Sequence, residues 1–325
     1  MHRLGLTIGL EGAGLRSALE LCTRAEQLGY TDLWTAEVGG ADGLTPLAAL
    51  ATTTRSARLG TAILPVFTRP PALLAMSAAA LQDLSGGRFV LGLGTSSNVI
   101  VEKWMGGSFT RPLTRLREYV EVIRACLAGG KVEFNGLTTH VDGFRIQHDP
   151  GGRLPVHLAA LGPTACALAG EIADGVIFFL KTPDGVRQGL EWANPGAEGF
   201  ECVMRVPVLV DDEPDVVAAA ARRLLLSYAP VEVYARSLAA QGFGAEVAAI
   251  GEAWDSGDRR RATELVTDRM IGELFVTGVG GCRARLDELR SAGVTAPVLL
   301  PMSFVDDALE RARRVAAAVE ALAFS

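Results

Sequence analysis

The sequence predicts a (β/α)8 barrel, and three observations carry that prediction. Eight short apolar segments recur along the chain, each running into sequence of helical character. Those segments are apolar nearly throughout rather than alternating, as parallel strands covered on both faces must be. The 325 residues contain no Pro/Ser-rich linker and exceed only moderately the ~250 residues typical of one barrel.

The elements follow in order. A strand over 3–10 leads to a helix over 14–28 that ends at Gly29. A second strand at 32–37 precedes a helix at 43–54 with Pro46 in its first turn. The third strand, 59–64, is followed by an Ala/Leu-rich helix at 71–85 closed by Gly86-Gly87. The fourth, 88–93, runs into Gly94-Thr95-Ser96-Ser97-Asn98, and an amphipathic helix covers 113–128. A small β excursion at 132–146 separates it from the fifth strand at 155–160. Strands six and seven fall at 175–180 and 202–210, with helices at 164–172 and 183–192, and strand eight at 296–301 precedes a helix at 306–322. Strands alternating with helices require right-handed crossovers and a parallel sheet. The charged, helical stretch 211–273 reads as an insertion at the rim between strands seven and eight, within a single domain spanning 1–325.

Composition excludes several classes of function. A net charge of −6 argues against a nucleic-acid partner, and 6% aromatics argue against single-strand stacking platforms. No apolar run approaches the ~20 residues of a membrane helix, and the N-terminus enters a strand pattern without a signal-type apolar region. Five scattered cysteines without a C-x-x-C pair read as reduced core thiols of a cytoplasmic protein. Four histidines leave little room for a metal site, and none is expected.

A barrel of this kind places its site at the C-terminal ends of the strands, which directs attention to Glu37, 62–69, 94–98, 159–163 and Lys181. The glycines and hydroxyls of 92–98 suit close approach of a flat or phosphorylated ligand, or form a plain βα turn. Gly162-Pro163 opens a helix directly after a strand, where free N–H groups and the positive dipole end suit an anion. Many helices that bind nothing start the same way. Segment 62–71 is a strand end with a Pro-studded loop around Arg69, whose prolines set the entry to the next helix. His157 reads as a hydrogen-bonded core residue, Tyr228, Tyr234 and Trp254 as core of the insertion, and 255–261 as a solvated face.

Taken together, these segments resemble the luciferase-like monooxygenase superfamily of flavin- and deazaflavin-dependent (β/α)8 oxidoreductases. The resemblance lies in LGYTDLWTAE at 28–37, LGTAILP at 59–65 with Thr68-Arg69-Pro70, and SGGRFVLGLG at 85–94. It continues in Pro112-Leu113 with Arg117-Glu118-Tyr119, AALGP at 159–163 and ADGVI at 173–177. It covers residues 1–180, and 278–290 with strand eight more loosely, and is greatest to the branch that uses coenzyme F420. The resemblance implies a non-proline cis peptide between Ala62 and Ile63, backing an isoalloxazine-type ring. It implies Gly94, Thr95 and Asn98 near the ring and ribityl chain, and backbone N–H groups of Ala159, Ala160, Leu161 and Gly162 on the cofactor phosphate.

Two departures bear on mechanism. Sugar-phosphate dehydrogenases of that branch carry an acid–His pair after strand two, where this chain has Glu37-Val38, and a Glu where this chain has Thr95. Oxidation of a sugar-phosphate alcohol by that route is therefore not expected. The general acid falls to Glu37, His157, a tyrosine of the insertion or solvent. Glu37 is the expected catalytic residue, its pKa raised by apolar neighbours Ala36 and Val38. The expected activity is hydride transfer between C5 of F420 and a fairly apolar small-molecule substrate; a basic rim of Arg69, Lys103 and Lys181, suited to the anionic tail, would favour F420 over FMN. The alternatives are an FMN-dependent monooxygenase and a cofactor-free binding protein on the same fold. A homodimer is expected.

Overall fold

The computed structural model describes residues 3–9, 14–147, 152–196 and 198–323. Twelve strands and thirteen α-helices are assigned among them. The chain runs β1 (Gly5–Thr7), α1 (Leu15–Gln27), β2 (Asp32–Thr35), α2 (Thr45–Thr53), β3 (Arg58–Thr61), β4 (Leu64–Pro65), α3 (Pro71–Leu84) and β5 (Phe89–Gly94). After a π-helical turn at Val99–Trp104 come α4 (Pro112–Leu127), the hairpin β6 (Val132–Asn135) and β7 (His140–Phe144), β8 (Val156–Ala159), α5 (Pro163–Ile172), β9 (Gly175–Phe179), α6 (Pro183–Ala193) and β10 (Glu201–Leu209). The insertion holds α7 (Pro214–Leu226), α8 (Glu232–Leu238), a π turn at Ala239–Phe243, α9 (Gly244–Asp255), α10 (Arg259–Glu264) and α11 (Asp268–Leu274). Then β11 (Val276–Thr277), α12 (Cys282–Ser291), β12 (Ala296–Met302) and α13 (Ala308–Leu322) complete it.

Eight strands close a parallel barrel in the order β1-β2-β3-β5-β8-β9-β10-β12, with β12 returning to β1. The predicted strands 3–10 and 32–37 are shorter in the structure, ending at Thr7 and Thr35, and the end of the first, at residue 10, lies outside the described residues. Six helices carry proline in their first turn, where its missing N–H costs nothing.

Two apolar layers hold the barrel. Outward residues such as Leu33, Leu91, Val176 and Met204 pack beneath the helices, while Trp34, Val90, Ile177, Val203 and Val298 fill the interior. The N-terminal end is plugged by charge: Arg3 pairs with Asp32 and, at 3.0 Å, with Glu201, which Arg58 meets at 2.7 Å. Burial pushes the Glu201 carboxyl up, but the two guanidiniums outweigh it and hold it down at about 2. The insertion forms a second cluster around Phe179, Leu209, Leu225 and Phe243. The buried Asp211 ties its start to the end of β12, accepting from Ser303 Oγ (2.6 Å) and the Phe304 N–H (2.7 Å).

Candidate functional site at the barrel mouth

The third stave is broken where the sequence analysis placed the break. Gly60 pairs with Val90 and Leu64 with Leu93, so β3 and β4 spend one residue more than β5 over the same interval. Such an extra residue is a bulge that re-aims the chain. The Ala62–Ile63 peptide within it is cis. Thr61 Oγ1 replaces the lost ladder contacts, bonding both the N–H and the C=O of Gly92 at 2.8 Å. A Cβ at Gly92 would lie 1.7 Å from Thr61 O, and one at Gly94 2.9 Å from Ile63 and 3.3 Å from Ala159. Ile63, Gly94 and Ala159 thus form one continuous, tightly packed floor, with Ala62 in the buried cluster below. Thr95 continues from it half-buried, and Asn98 stands exposed before the π-helical turn.

At the end of β8, with only β5 between it and the bulge, α5 begins without a side-chain cap. The N–H of Ala160 is committed to Ile177 O at 3.2 Å, which removes it from the expected phosphate donors. The N–H groups of Leu161, Gly162, Thr164 and Ala165 have no protein acceptor among the described residues. A Cβ at Gly162 would meet nothing within 4 Å, so these donors open onto free space. The floor and this helix start together fit a flat ring carrying a phosphorylated chain.

Lys181 corrects the expected basic rim. It is 1% exposed, and Nζ donates to Leu161 O at 3.0 Å with the rings of Phe178 and Trp192 at 5.8 and 5.6 Å. The left-handed turn at Leu180 (φ 52°) precedes it and accompanies this inward course. Burial lowers its pKa, and no carboxylate pairs with it among the described residues. Lys181 therefore braces the α5 loop from beneath. Arg69 is also engaged, and of the three expected rim cations only Lys103 is exposed.

Glu37 lies two residues past β2 and is not solvated alone. Oε1 accepts from Arg69 Nη1 at 2.7 Å and from Thr68 Oγ1 at 3.1 Å, and Oε2 from the Gly43 N–H at 3.0 Å. Its own N–H reaches Ile63 O across the bulge at 3.2 Å. Burial pushes its carboxyl up as expected, but Arg69 and the Gly43 N–H outweigh that effect and the net pKa is lowered. The expectation of a raised pKa is thus overturned: Glu37 is an ionised carboxylate at neutral pH.

His157 is fully buried in the barrel interior, stacked 6.2 Å from Trp34, and neither ring nitrogen has a hydrogen-bond partner among the described residues. Burial lowers its pKa to about 4, against the opposing pull of Glu201. The expectation of a hydrogen-bonded histidine fails, and at this depth it cannot serve as an acid at the mouth.

The tyrosines of the insertion turn toward the barrel rather than only into its own core. Tyr228 packs edge-on to Phe179 at 5.2 Å, and Tyr234 lies 4.8 Å from Tyr228. Beneath them stands Arg205, its guanidinium 5.2 Å from the Phe179 centroid. Sequence reasoning missed Arg205, although an arginine two residues beyond the inward-facing Val203 carries the signal of strand alternation. A recess of about 170 Å3 opens by the β2 end, lined by Thr35, Ala36 and Asp42 among others. The larger surface groove of about 780 Å3 lies outside the barrel between α6 and α12 and holds none of the expected residues. Among the described residues no cluster of His, Cys, Asp or Glu is placed to hold a metal, and no helix is long and apolar enough to cross a membrane.

Comparison with known proteins agrees with this geometry. The family described as luciferase-like monooxygenase matches residues 1–296. A Mycobacterium tuberculosis protein provisionally named a coenzyme F420-dependent oxidoreductase is 31% identical, over 91% of this chain and 94% of its own. The 5,10-methylenetetrahydromethanopterin reductase of Archaeoglobus fulgidus is 30% identical over 84% of this chain and 86% of its own. The solved coenzyme F420 dependent tetrahydromethanopterin reductase of Methanopyrus kandleri shares the fold, with a TM-score of 0.72, 23% identity and 97% of both chains covered. With the bulged third stave and the uncapped α5 in place, this chain belongs to the luciferase-like monooxygenase family.

Proposed function

We propose that the chain is an F420-dependent oxidoreductase that moves a hydride between C5 of the deazaflavin and a small organic substrate. The observation that carries the reading is the pairing of a flat floor at Ile63, Gly94 and Ala159 with four unpartnered N–H groups at the start of α5. The names of the relatives favour F420 over FMN for that place. The coenzyme supplies the hydride chemistry, and the protein supplies binding, orientation and electrostatics.

In this reading Leu161, Gly162, Thr164 and Ala165 donate to the phosphate, and Lys181 holds Leu161 so that the loop stays open. Ala62, Ile63, Gly94, Thr95, Asn98, Ala159 and Ala160 line the ring and its chain. Glu37, the candidate catalytic carboxylate, fixes the loop carrying Arg69 and Thr68 at the ring edge. Held ionised, it can accept a proton but has none to donate near neutrality.

Equilibrium titration of the purified protein with F420 and with FMN, followed by anaerobic single-turnover reduction, tests the reading. Binding of F420 at least about tenfold tighter than FMN is the expected result. FMN preference with oxygen consumption returns the chain to the monooxygenases, and binding of neither returns it to a cofactor-free role.

A further inference from the structure

The wall of the mouth formed by β9, β10 and the insertion is not used by the cofactor reading, yet it carries a desolvated cation. Arg205 is in register with Phe179 on β9 and Val298 on β12, one inward step above Val203. Its Nε is buried without a hydrogen-bond partner, and no carboxylate forms an ion pair with it among the described residues. The titratable groups of its neighbourhood are the phenols of Tyr228 and Tyr234, which burial keeps neutral, and neither hydroxyl has a hydrogen-bond partner among the described residues. All three side chains are closely enclosed by protein and still touched by solvent, which places them on the wall of a recess rather than in packed core. Burial lowers the Arg205 pKa, but a guanidinium stays charged in the neutral range.

A buried cation without a counter-ion is costly unless something supplies the missing charge. Leaving it so in a site that opens to a ligand is the arrangement expected when the ligand brings the anion. We propose that Arg205, with the hydroxyls of Tyr228 and Tyr234, is the subsite for a carboxylate on the organic substrate, a group that the proposed hydride transfer leaves unchanged. One guanidinium balances the single charge of a carboxylate, whose two oxygens its planar fork can meet together, and leaves a dianionic phosphate half uncompensated. Phe179, Leu300 and Met302 leave the remaining wall apolar. The substrate class is therefore an apolar organic acid, presented carboxylate-first to the insertion. This deepens the oxidoreductase reading and rests on it for the reaction, not for the binding.

The test uses ligand-observed fluorine NMR with 4-fluorocinnamate and its neutral amide, on the whole protein and without added cofactor. The wild type is expected to bind the acid at least about tenfold more tightly than the amide, the scale of a charge-assisted pair. Arg205→Met, which keeps the apolar stem, is expected to abolish that preference, and Tyr234→Phe to reduce it with the fold retained by circular dichroism. No preference in the wild type, or one that survives in Arg205→Met, overturns the subsite. Should Arg205→Met fail to fold, the Tyr228→Phe/Tyr234→Phe double variant decides: an unaltered preference overturns the subsite, and a fall of about threefold or more sustains it. Parallel F420 titration separates the two readings. Acid preference without F420 binding sinks the cofactor reading alone, and F420 binding without acid preference sinks the subsite alone.

Discussion

The ammonium of Lys181 sits 3.0 Å from the carbonyl oxygen of Leu161, beneath the turn whose N–H groups face the mouth. It is desolvated and, among the described residues, unpaired by any carboxylate, so its field acts on whatever lies above that turn. Lys181→Met keeps the stem against Phe178 and Trp192 but removes both the charge and the hydrogen bond. F420 affinity is expected to fall by about tenfold, and its salt dependence to weaken. The melting temperature should hold or rise, because a buried ammonium with a single acceptor is a cost to folding. A stability loss with unchanged F420 affinity would make Lys181 a structural residue only.

Glu37 gives the second prediction. Its pair with Arg69 is largely buried, and the one other carboxylate that Arg69 reaches among the described residues is Asp42, at 3.9 Å. Glu37→Gln keeps the shape but leaves the guanidinium without a close charge, costing about 1–3 kcal/mol of stability. The lowered pKa sets the sign with pH. The pair stabilises fully above the ordinary carboxylate range and is lost as pH falls through the lower folded-state value. The wild-type rate should therefore show no limb near neutrality that disappears in Glu37→Gln. A neutral limb that does disappear would restore Glu37 as the proton donor, and pH–rate profiles of both proteins decide.

The barrel was legible because burial on both faces leaves an unbroken apolar run that local sequence displays. The β8–α5 turn was legible for the same reason, since Gly162-Pro163 after an apolar strand is a local signal. What depended on distant partners was not. Arg69 is 32 residues from Glu37, and nothing in the local sequence of either announces the pair that reverses the Glu37 pKa. Lys181 follows a strand and so reads as rim, yet Leu180 adopts a left-handed conformation that leucine does not advertise. Tyr228 and Tyr234 belong to the insertion, whose packing onto Phe179 no local pattern encodes.

His157 gives a prediction for stability. It is held neutral in the barrel interior, its pKa lowered to about 4 from the 6.5 of a free histidine. The unfolded chain then binds a proton that the folded one refuses, so stability is full above about pH 6.5 and falls as pH drops toward 4. The loss amounts to about 3 kcal/mol over that window. Urea unfolding of the wild type and His157→Leu at several pH values between 4 and 7.5 should show the slope reduced by about one proton in the variant. Equal slopes would mean that His157 charges in place.

The last prediction isolates the anion site at α5. Gly162 is the N-cap, extended at φ −118° and ψ 176°, with nothing within 4 Å of an added Cβ. Gly162→Asp therefore introduces no clash and no backbone strain. An aspartate at this position is moreover a preferred cap, its carboxylate accepting from the second or third N–H of the helix. Those are among the donors assigned to the phosphate. The variant should thus fold as well as the wild type or better, while the new carboxylate satisfies and neutralises the helix start that a phosphate would use. F420 and FMN should both bind at least about tenfold more weakly, since each presents a phosphate to the same donors. Riboflavin, which carries no phosphate, should respond much less to the substitution. Equal losses for FMN and riboflavin would point to a displaced ring rather than a blocked anion site, and unchanged binding of F420 and FMN would remove the phosphate from α5 altogether.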